Sequence, residues 1–480
     1  MSPFLFPADG KREAARFLAA LHRARDMEKR GFQKWKEVRD KRLEHVLNAA
    51  SKTELYRGKV PQAGDPMERL RAIEPVSKEE YLNDLQATLT DGVLTHSDIM
   101  SFVRGASSPG SLMNNEYVVA MTSGTSGQVG VFINGQKCWA RTRALTFARI
   151  FQGRLNAKDF LRLVKYRRYR MAFVIATGGH YMTYNLAIRI PPMAQPFVDA
   201  RVHSVDSSIS DLVARLNQHK PHYVHSYPTI LELLCAEKKN GRLDIQPEMI
   251  TSGSEPLTEK CRQAVRRSFP DADLRETYAA TECVAMATSC KHGRLHINED
   301  GCILEPMDAK GRPVPYGKRA DHIVVTNLLN QTQPLVRYVL TDQMQVTDEK
   351  CPCGSPFSTI SVHGRTDDTF FLFSPDEGWQ AHPPIPLEII FLKVDGLLQY
   401  KLVHEKQNVL RVFFVSEERV RSSQVAALLD NELQRYLRRH RLLESVSYTI
   451  EEVSRIERHA TSQKVRQIRS LVSKPEFTIP

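Results

Sequence analysis

From residue 160 to residue 330 of this 480-residue chain, short apolar runs alternate with segments of helical periodicity. The runs are Met171–Ala176, Tyr223–Val224, Met249–Ile250 and Leu274–Tyr278. The helical segments among them are Ser210–Asn217, Pro228–Lys239 and Leu257–Ser268. Alternation of this kind predicts α/β layers. A β-rich stretch, Ile303–Val339, follows.

Residues 1–60 read as helical, with Phe17, Leu18 and Leu21, then Trp35, Val38, Leu43, Val46 and Leu47, at three- and four-residue spacings. Pro61–Pro75 is expected to break the pattern, Lys78–Leu89 to resume it, and Gln136–Phe151 to form a further helix. The character changes at Gly364–Asp368, Gly-Arg-Thr-Asp-Asp. Beyond it lie strand-like runs at Gln399–His404 and Leu410–Val415, a helix at Ser422–Arg439 and a third strand at Glu444–Ile450. These suffice for a compact α+β unit of about 110 residues, an ordinary domain size. The fold class expected is α/β: a large N-terminal α/β domain with a helical N-terminal extension, plus a small hinged α+β C-terminal domain. Its parts are a helical segment 1–115, a core 116–363, a hinge 364–368 and a mobile C-terminal unit 369–480.

Hydrophobic residues make up 41% and charged residues 25%, as in a soluble globular protein. No apolar run reaches bilayer length, and Phe4–Pro7 is too short for a secretory signal. Eight cysteines, scattered apart from one Cys-Pro-Cys, make no disulfide framework, so a cytoplasmic protein without a membrane partner is expected. The net charge of +12 admits nucleic acid, an anionic surface or phosphate-rich small molecules as partners. Lys165–Arg170 interleaves two tyrosines with four basic residues, the mixture a single-stranded nucleic-acid binder uses. Arg435–Arg441 lies on a helical stretch, where a basic run is usually a solvated face. No recognised nucleic-acid module accompanies either cluster, which weighs against that partner.

Five short segments carry chemistry. In Thr122–Gly130, between two apolar runs, four hydroxyl residues and three glycines fill nine positions. Glycines let backbone N–H groups approach an anion, and hydroxyls add donors, so the loop suits a triphosphate; an exposed hairpin loop is the plainer reading. Tyr278–Glu282, Tyr-Ala-Ala-Thr-Glu, follows a strand and offers a hydroxyl for phosphate and a carboxylate for magnesium, against a solvated strand end. Asp342 closes Arg337–Asp342, where a carboxylate could accept ribose hydroxyls. Arg365 stands at the hinge. Lys464, in Ser462–Arg466, could neutralise charge on a transferring phosphoryl group, although a lone surface lysine is the commoner case.

In this order and spacing the segments resemble the adenylate-forming enzymes of the acyl-CoA synthetase/luciferase superfamily, nearest the phenylacetate–CoA ligase branch. Thr122–Gly127 resembles the phosphate loop, Gly253-Ser254-Glu255-Pro256 the segment over adenine, and Tyr278–Glu282 the Tyr-Gly-x-Thr-Glu motif. Arg337–Asp342 resembles Arg-Tyr-x-Thr-Gly-Asp, and Gly364–Asp368 the hinge Gly-Arg-x-Asp-Asp. The resemblance implies that ATP with magnesium and a small carboxylic acid give an acyl-adenylate and pyrophosphate. The acyl group then passes to CoA, a carrier protein or an amine. It implies that Thr122, Ser123, Gly124, Thr125, Ser126 and Gly127 hold the β- and γ-phosphates. Thr281 would meet the α-phosphate, Glu282 the magnesium, and Asp342 and Arg365 the ribose. Ser254, Glu255 and Pro256 would line the adenine slot with Tyr278 stacked on the base. Tyr227, Gly253, Ala279 and Ala280 would line the acyl pocket, Asp367 would be the pivot, and Lys464 would reach the reacting groups.

The chain departs from the pattern in five places. No lysine follows the phosphate loop, where Gln128-Val129-Gly130 stands. Ala279 and Thr341 replace glycines, Gln463 stands where a glycine is usual, and Thr369–Pro386 lacks a Gly-rich loop, which leaves the acceptor open. A catalytically altered nucleotide- or nucleic-acid-binding protein on the same scaffold is the alternative.

Cys351-Pro-Cys353-Gly precedes the hinge by eleven residues, and Cys290 and His296 lie upstream. Three thiolates and an imidazole are a legitimate tetrahedral zinc set, with no open position and hence a structural role. Related ligases carry a similar Cys-x-Cys-Gly. Reduced surface cysteines in a turn are the other reading.

Overall fold

The structure is a computed structural model. Its described residues are 10–30, 34–90, 92, 94–104, 109–122, 130–152, 168–177, 179–189, 196–205, 207, 209–365, 370–376, 378–382, 387, 390–391, 393–457 and 466–472.

Five helices come first: α1 (Gly10–Lys29), α2 (Trp35–Ala50), α3 (Pro66–Arg71), α4 (Lys78–Asn83) and α5 (His96–Arg104). A small antiparallel sheet of β1 (Leu112–Met113), β2 (Tyr117–Met121) and β3 (Val131–Gly135) leads into α6 (Gln136–Ile150). Strands and helices then alternate: β4 (Tyr169–Ile175), α7 (Met182–Ile188), β5 (Val198–Ser204), α8 (Ile209–His219) and β6 (Tyr223–Ser226). The pattern continues with α9 (Pro228–Lys239), β7 (Met249–Ser252), α10 (Glu259–Ser268) and β8 (Asp273–Tyr278). Eight strands follow: β9 (Ala287–Ser289), β10 (Leu295–Ile297), β11 (Cys302–Met307), β12 (Arg319–Ala320), β13 (His322–Asn327), β14 (Tyr338–Leu340), β15 (Asp342–Thr347) and β16 (Thr359–Arg365). The C-terminal part holds β17 (Phe370–Ser374), β18 (Gly378–His382), β19 (Leu397–Lys406), β20 (Val409–Ser416), α11 (Ser422–Arg439), β21 (Ser447–Glu452) and β22 (Ile468–Ser470).

The main sheet has ten strands in the order β12-β15-β16-β10-β9-β8-β7-β6-β4-β5. From β5 to β8 every neighbour is parallel, because a helix crosses over between successive strands. Strands β6 and β7 are buried along their whole length, as parallel strands covered on both faces must be. From β8 onward the sheet is antiparallel, joined by tighter connections. Leu212, Leu216, Leu231, Leu234 and Val265 of the crossover helices pack with Val224 and Ile250 of the strands in one core.

A second core joins Leu43, Val46 and Leu47 of α2 to Val325, Tyr338, Met344 and Ile360 of the antiparallel strands. A third core belongs to the C-terminal part, where Val425, Leu429, Leu433 and Leu437 form the buried stripe of α11 against Leu402, Leu410 and Phe414. That part touches the large one along α9: Lys239 pairs with Glu417 at 2.6 Å and Arg242 with Glu418 at 3.0 Å.

One expectation is corrected. Pro61–Pro75 contains the helix α3, started by Asp65, whose carboxylate accepts from the Met67 N–H, with Pro66 at the first helical position. There a missing N–H costs nothing, so this proline begins a helix instead of breaking one.

Candidate active site

Several of the expected site residues lie where the sheet changes from parallel to antiparallel. Strands β6, β7 and β8 are consecutive parallel neighbours, so their carboxyl ends bring Tyr227, Gly253 and Tyr278 side by side. The crevice beyond such strand ends is where open α/β sheets bind ligands. Gly253 is held so close to β8 that a Cβ there would lie 2.4 Å from the Thr277 hydroxyl. Ser254 turns the chain with φ +70°, and its hydroxyl lies 3.4 Å from that of Thr183. Pro256 is exposed.

Two of these residues have side-chain duties beyond what the sequence suggests. The Glu255 carboxylate accepts from the backbone N–H and the hydroxyl of Thr229, at 3.2 and 2.9 Å, and so caps the start of α9. Tyr227 is buried in the crossover-helix core, with its hydroxyl accepting from the Ala176 N–H at 3.0 Å. It walls the site from behind.

After β8 the chain makes a tight turn closed by two backbone bonds between Ala280 and Cys283, each 3.1 Å. Thr281 and Glu282 occupy its tip, both half-buried, beside exposed Ala279. The Glu282 carbonyl accepts from the Asn327 side chain at 3.2 Å, which pins the turn to β13. The Tyr338 hydroxyl reaches the Glu282 carboxylate at 3.5 Å.

Tyr338 links the turn to the phosphate-loop strands. Its ring stands edge-on to Tyr81 at 5.3 Å, and Tyr81 stacks on Phe132 of β3 at 6.1 Å. The outer edge of β3 is sealed by side chains: Gln333 accepts from the Ile133 N–H at 2.7 Å, and Asn330 donates to the Ile133 carbonyl at 2.8 Å. Thr122 and Gly130 close the stem of the loop, with the Thr122 hydroxyl accepting from the Gly130 N–H at 2.7 Å. Ser123, Gly124, Thr125, Ser126 and Gly127 lie outside the described residues, as do Asp367 and Lys464.

Asp342 opens β15 directly opposite Arg365, the last residue of β16. The two expected ribose contacts therefore share one rung of the sheet, at the start of the expected hinge, and Gly364 adopts φ +100° beside them. Arg337 serves the fold: it pairs with Glu305 at 3.1 Å and donates to the Arg71 and Ile73 carbonyls.

Beyond the far end of β16 lies a metal-ligand set. Cys290, His296, Cys351 and Cys353 bring their ligand atoms within 4.8 Å of one another. The sulfurs of Cys290 and Cys351 are 3.7 Å apart, and that of Cys353 is 3.4 Å from His296 Nε2. Zinc–sulfur bonds of about 2.3 Å and zinc–nitrogen bonds of about 2.0–2.1 Å in a tetrahedron give separations of about 3.8 and 3.5 Å. The His296 Nδ1–H donates to the Phe357 carbonyl at 3.0 Å, which leaves Nε2 free to ligate, and burial lowers its pKa and favours neutral imidazole. Cys290 and Cys351 are buried, so they are not surface cysteines in a turn.

The basic clusters are less suited to nucleic acid than their composition suggests. Tyr169 stacks on His222 at 5.3 Å, and Arg170 donates to the Lys220 carbonyl at 2.8 Å. On α11, Arg435 pairs with Glu432 at 2.8 Å and Arg438 with Gln434 at 3.0 Å. Among the described residues no helix is long and apolar enough to cross a membrane.

The fold is similar to that of a solved 2-hydroxyisobutyryl-CoA ligase in its postadenylation state, in complex with R3-HIB-AMP. The likeness covers 91% of this chain and 89% of that one, with a TM-score of 0.65 and 19% identity. The chain has the fold of the adenylate-forming CoA ligases. The same ligase in its thioesterification state overlaps less well, with a TM-score of 0.54. In sequence, the adenylate-forming fold is accompanied by similarity to the protein CapK of Staphylococcus aureus, 23% identical over 232 residues, covering 47% of this chain and 49% of that protein. Phenylacetate–coenzyme A ligase of Thermus thermophilus is 27% identical over 211 residues, covering 41% of this chain and 45% of that protein. The chain thus spans about half the length of the curated relatives it matches. No family model matches it.

Proposed function

We propose that this chain activates an organic carboxylic acid with ATP and passes the acyl group to a thiol, with CoA the acceptor its neighbours favour over a carrier protein or an amine. The observation that carries this reading is the link Phe132–Tyr81–Tyr338–Glu282, which ties the phosphate-loop strands to the turn at the end of β8. In this reading the acid's carboxylate attacks the α-phosphorus of ATP. A carboxylate oxygen–phosphorus bond forms, the bond from that phosphorus to the bridging oxygen breaks, and pyrophosphate leaves. Thr281 donates to the α-phosphate, and the Glu282 carboxylate would hold magnesium, which would offset phosphate charge. Asp342 and Arg365 orient the ribose from their shared rung, and Tyr278 faces the base. Ser123, Thr125, Ser126 and Lys464 keep the phosphate-binding roles their motifs imply. The acceptor thiolate then attacks the acyl carbonyl and AMP departs, after the C-terminal unit 369–480 turns about Asp367.

The acid is aromatic or acyl, with Gly253, Ala279 and Ala280 beside it. Because β7 and β8 approach closely at Gly253, the pocket is shallow on that side. Cys290, His296, Cys351 and Cys353 hold a structural zinc in this reading. Eight cysteines among the described residues, none of them in a disulfide, support a reducing, cytoplasmic setting.

The deciding experiment is a screen of aryl and aliphatic acids for acid-dependent exchange of pyrophosphate into ATP. A particular acid is expected to support exchange that Glu282→Ala abolishes. ATP binding without exchange for any acid would sink the reading.

A further inference from the structure

Helix α2 has two inward faces of opposite character. Leu43, Val46, Leu47 and Ala50 enter the core, whereas Val38, Lys41, Arg42 and His45, also at helical spacing, line a cavity of about 460 Å³. The opposite walls are Ala20, Arg23 and Ala24 of α1 and Arg141 and Leu145 of α6. Arg23, Lys41 and His45 form an exposed rim, and Arg42 and Arg141 are half-buried beneath it. Ala24 and Leu145 supply a buried apolar floor. The volume falls within the range of small-molecule sites, and the lining contains no carboxylate.

The charge of this junction is not balanced from within. Asp300 is fully buried below it, but it is shared by Arg42 at 3.3 Å and Arg149 at 3.0 Å. Burial, with Arg141 and Arg149 nearby, lowers the Arg42 pKa even though Asp300 opposes the shift. Arg23, Lys41 and Arg141 pair with no carboxylate among the described residues. Arg141 is half-buried without a counter-charge, Arg42 shares its one carboxylate with Arg149, and Arg23 and Lys41 add exposed positive charge at the mouth, so an anion in the cavity would meet several cations and offset the cost at Arg141.

We infer that the cavity between α1, α2 and α6 binds a small organic phosphate, its phosphate held by Arg23, Lys41, Arg42 and Arg141 and its apolar part resting on Ala24, Val38 and Leu145. None of these residues belongs to the five motif segments, so the site is additional to the adenylation cleft and does not depend on the activity proposed for it. Two nearby arginines suit a phosphate better than a carboxylate alone, because planar guanidinium groups present paired donors to its oxygens.

The test is equilibrium dialysis of the full chain with 1-naphthyl phosphate, which joins a bicyclic ring to one phosphate. Saturable binding is expected, weaker at high salt, with 1-naphthol bound more weakly. Arg23→Glu with Lys41→Glu changes only exposed rim residues, so folding is not at issue, and it should weaken binding about tenfold or more. Arg141→Ala should act in the same direction. Inorganic phosphate and adenosine 3′,5′-bisphosphate as competitors distinguish free phosphate from a nucleotide as the source, and displacement by either supports the site. Binding unaltered in both basic variants, or weakened only by Glu282→Ala, overturns the inference and leaves the adenylation reading standing.

Discussion

The Tyr338 hydroxyl lies 3.5 Å from the Glu282 carboxylate, joining two motif segments that are 56 positions apart in the chain. The contact orients a carboxylate that the turn at Ala280–Cys283 holds at its tip. Glu282→Ala should lower acid-dependent pyrophosphate exchange by on the order of 10²–10³, in line with the loss of one preorganised charge-stabilising group. Tyr338→Phe should act more mildly, by raising the magnesium concentration needed for half-maximal exchange. Exchange rates across a magnesium series measure both, and a wild-type rate in Glu282→Ala would remove the turn from the mechanism.

The cysteine–histidine set predicts stoichiometric zinc in chelator-washed protein. Cys353→Ser should lose it and lower the melting midpoint by about 5 °C or more, since a structural metal binds the folded state alone. Metal analysis and thermal scans check this together; zinc retained at full stoichiometry in the variant would argue against the assigned ligands.

Lys239–Glu417 and Arg242–Glu418 bridge the large and C-terminal parts in the arrangement of this structure. Exposed pairs contribute about 0.2–1 kcal/mol each. Arg242→Glu should therefore shift the population of this arrangement only a few-fold, roughly two to five. Adding Glu418→Arg should restore it. Energy transfer between dyes on α9 and α11 reads the distance; a double variant no different from the single one would show that the pair does not couple.

Burial pulls the imidazoles of His203, His222, His225, His382 and His404 down to about 4. In the unfolded chain their pKa is near the ordinary 6.5. On acidification the unfolded state takes up protons first, so their contribution to stability is whole above pH 6.5 and lost progressively toward pH 4. Melting midpoints measured from pH 7 to pH 4.5 should fall steadily. A level midpoint down to pH 5 would contradict the buried, neutral state of these histidines.

Helices α9 and α11 coincide with the periodic segments Pro228–Lys239 and Ser422–Arg439, because α9 opens with a proline at its first position and α11 carries the regular buried stripe Val425, Leu429, Leu433 and Leu437. Strand β5 was illegible: Val198–Ser204 sits at the sheet edge and mixes Asp199, Arg201 and His203 with its apolar residues. The motif segments were legible as short patterns of special composition, and pairing across strands added what patterns cannot carry, such as Asp342 opposite Arg365. The helix-capping duty of Glu255 depends on where α9 begins in space. The cationic junction has no pattern in the chain, because Arg23, Arg42 and Arg141 meet only through the packing of three helices.

Strand β16 runs between the cysteine–histidine cluster and the hinge, and its seven residues span roughly 20 Å. It is paired with β10 and β15, so it behaves as a rod clamped along its sides. A rod clamped along both sides transmits little bending from one end to the other. If the C-terminal part turns, β16 would stay unbent, and Asp342 and Arg365, paired on its last rung, would keep their places like a fulcrum under a lever.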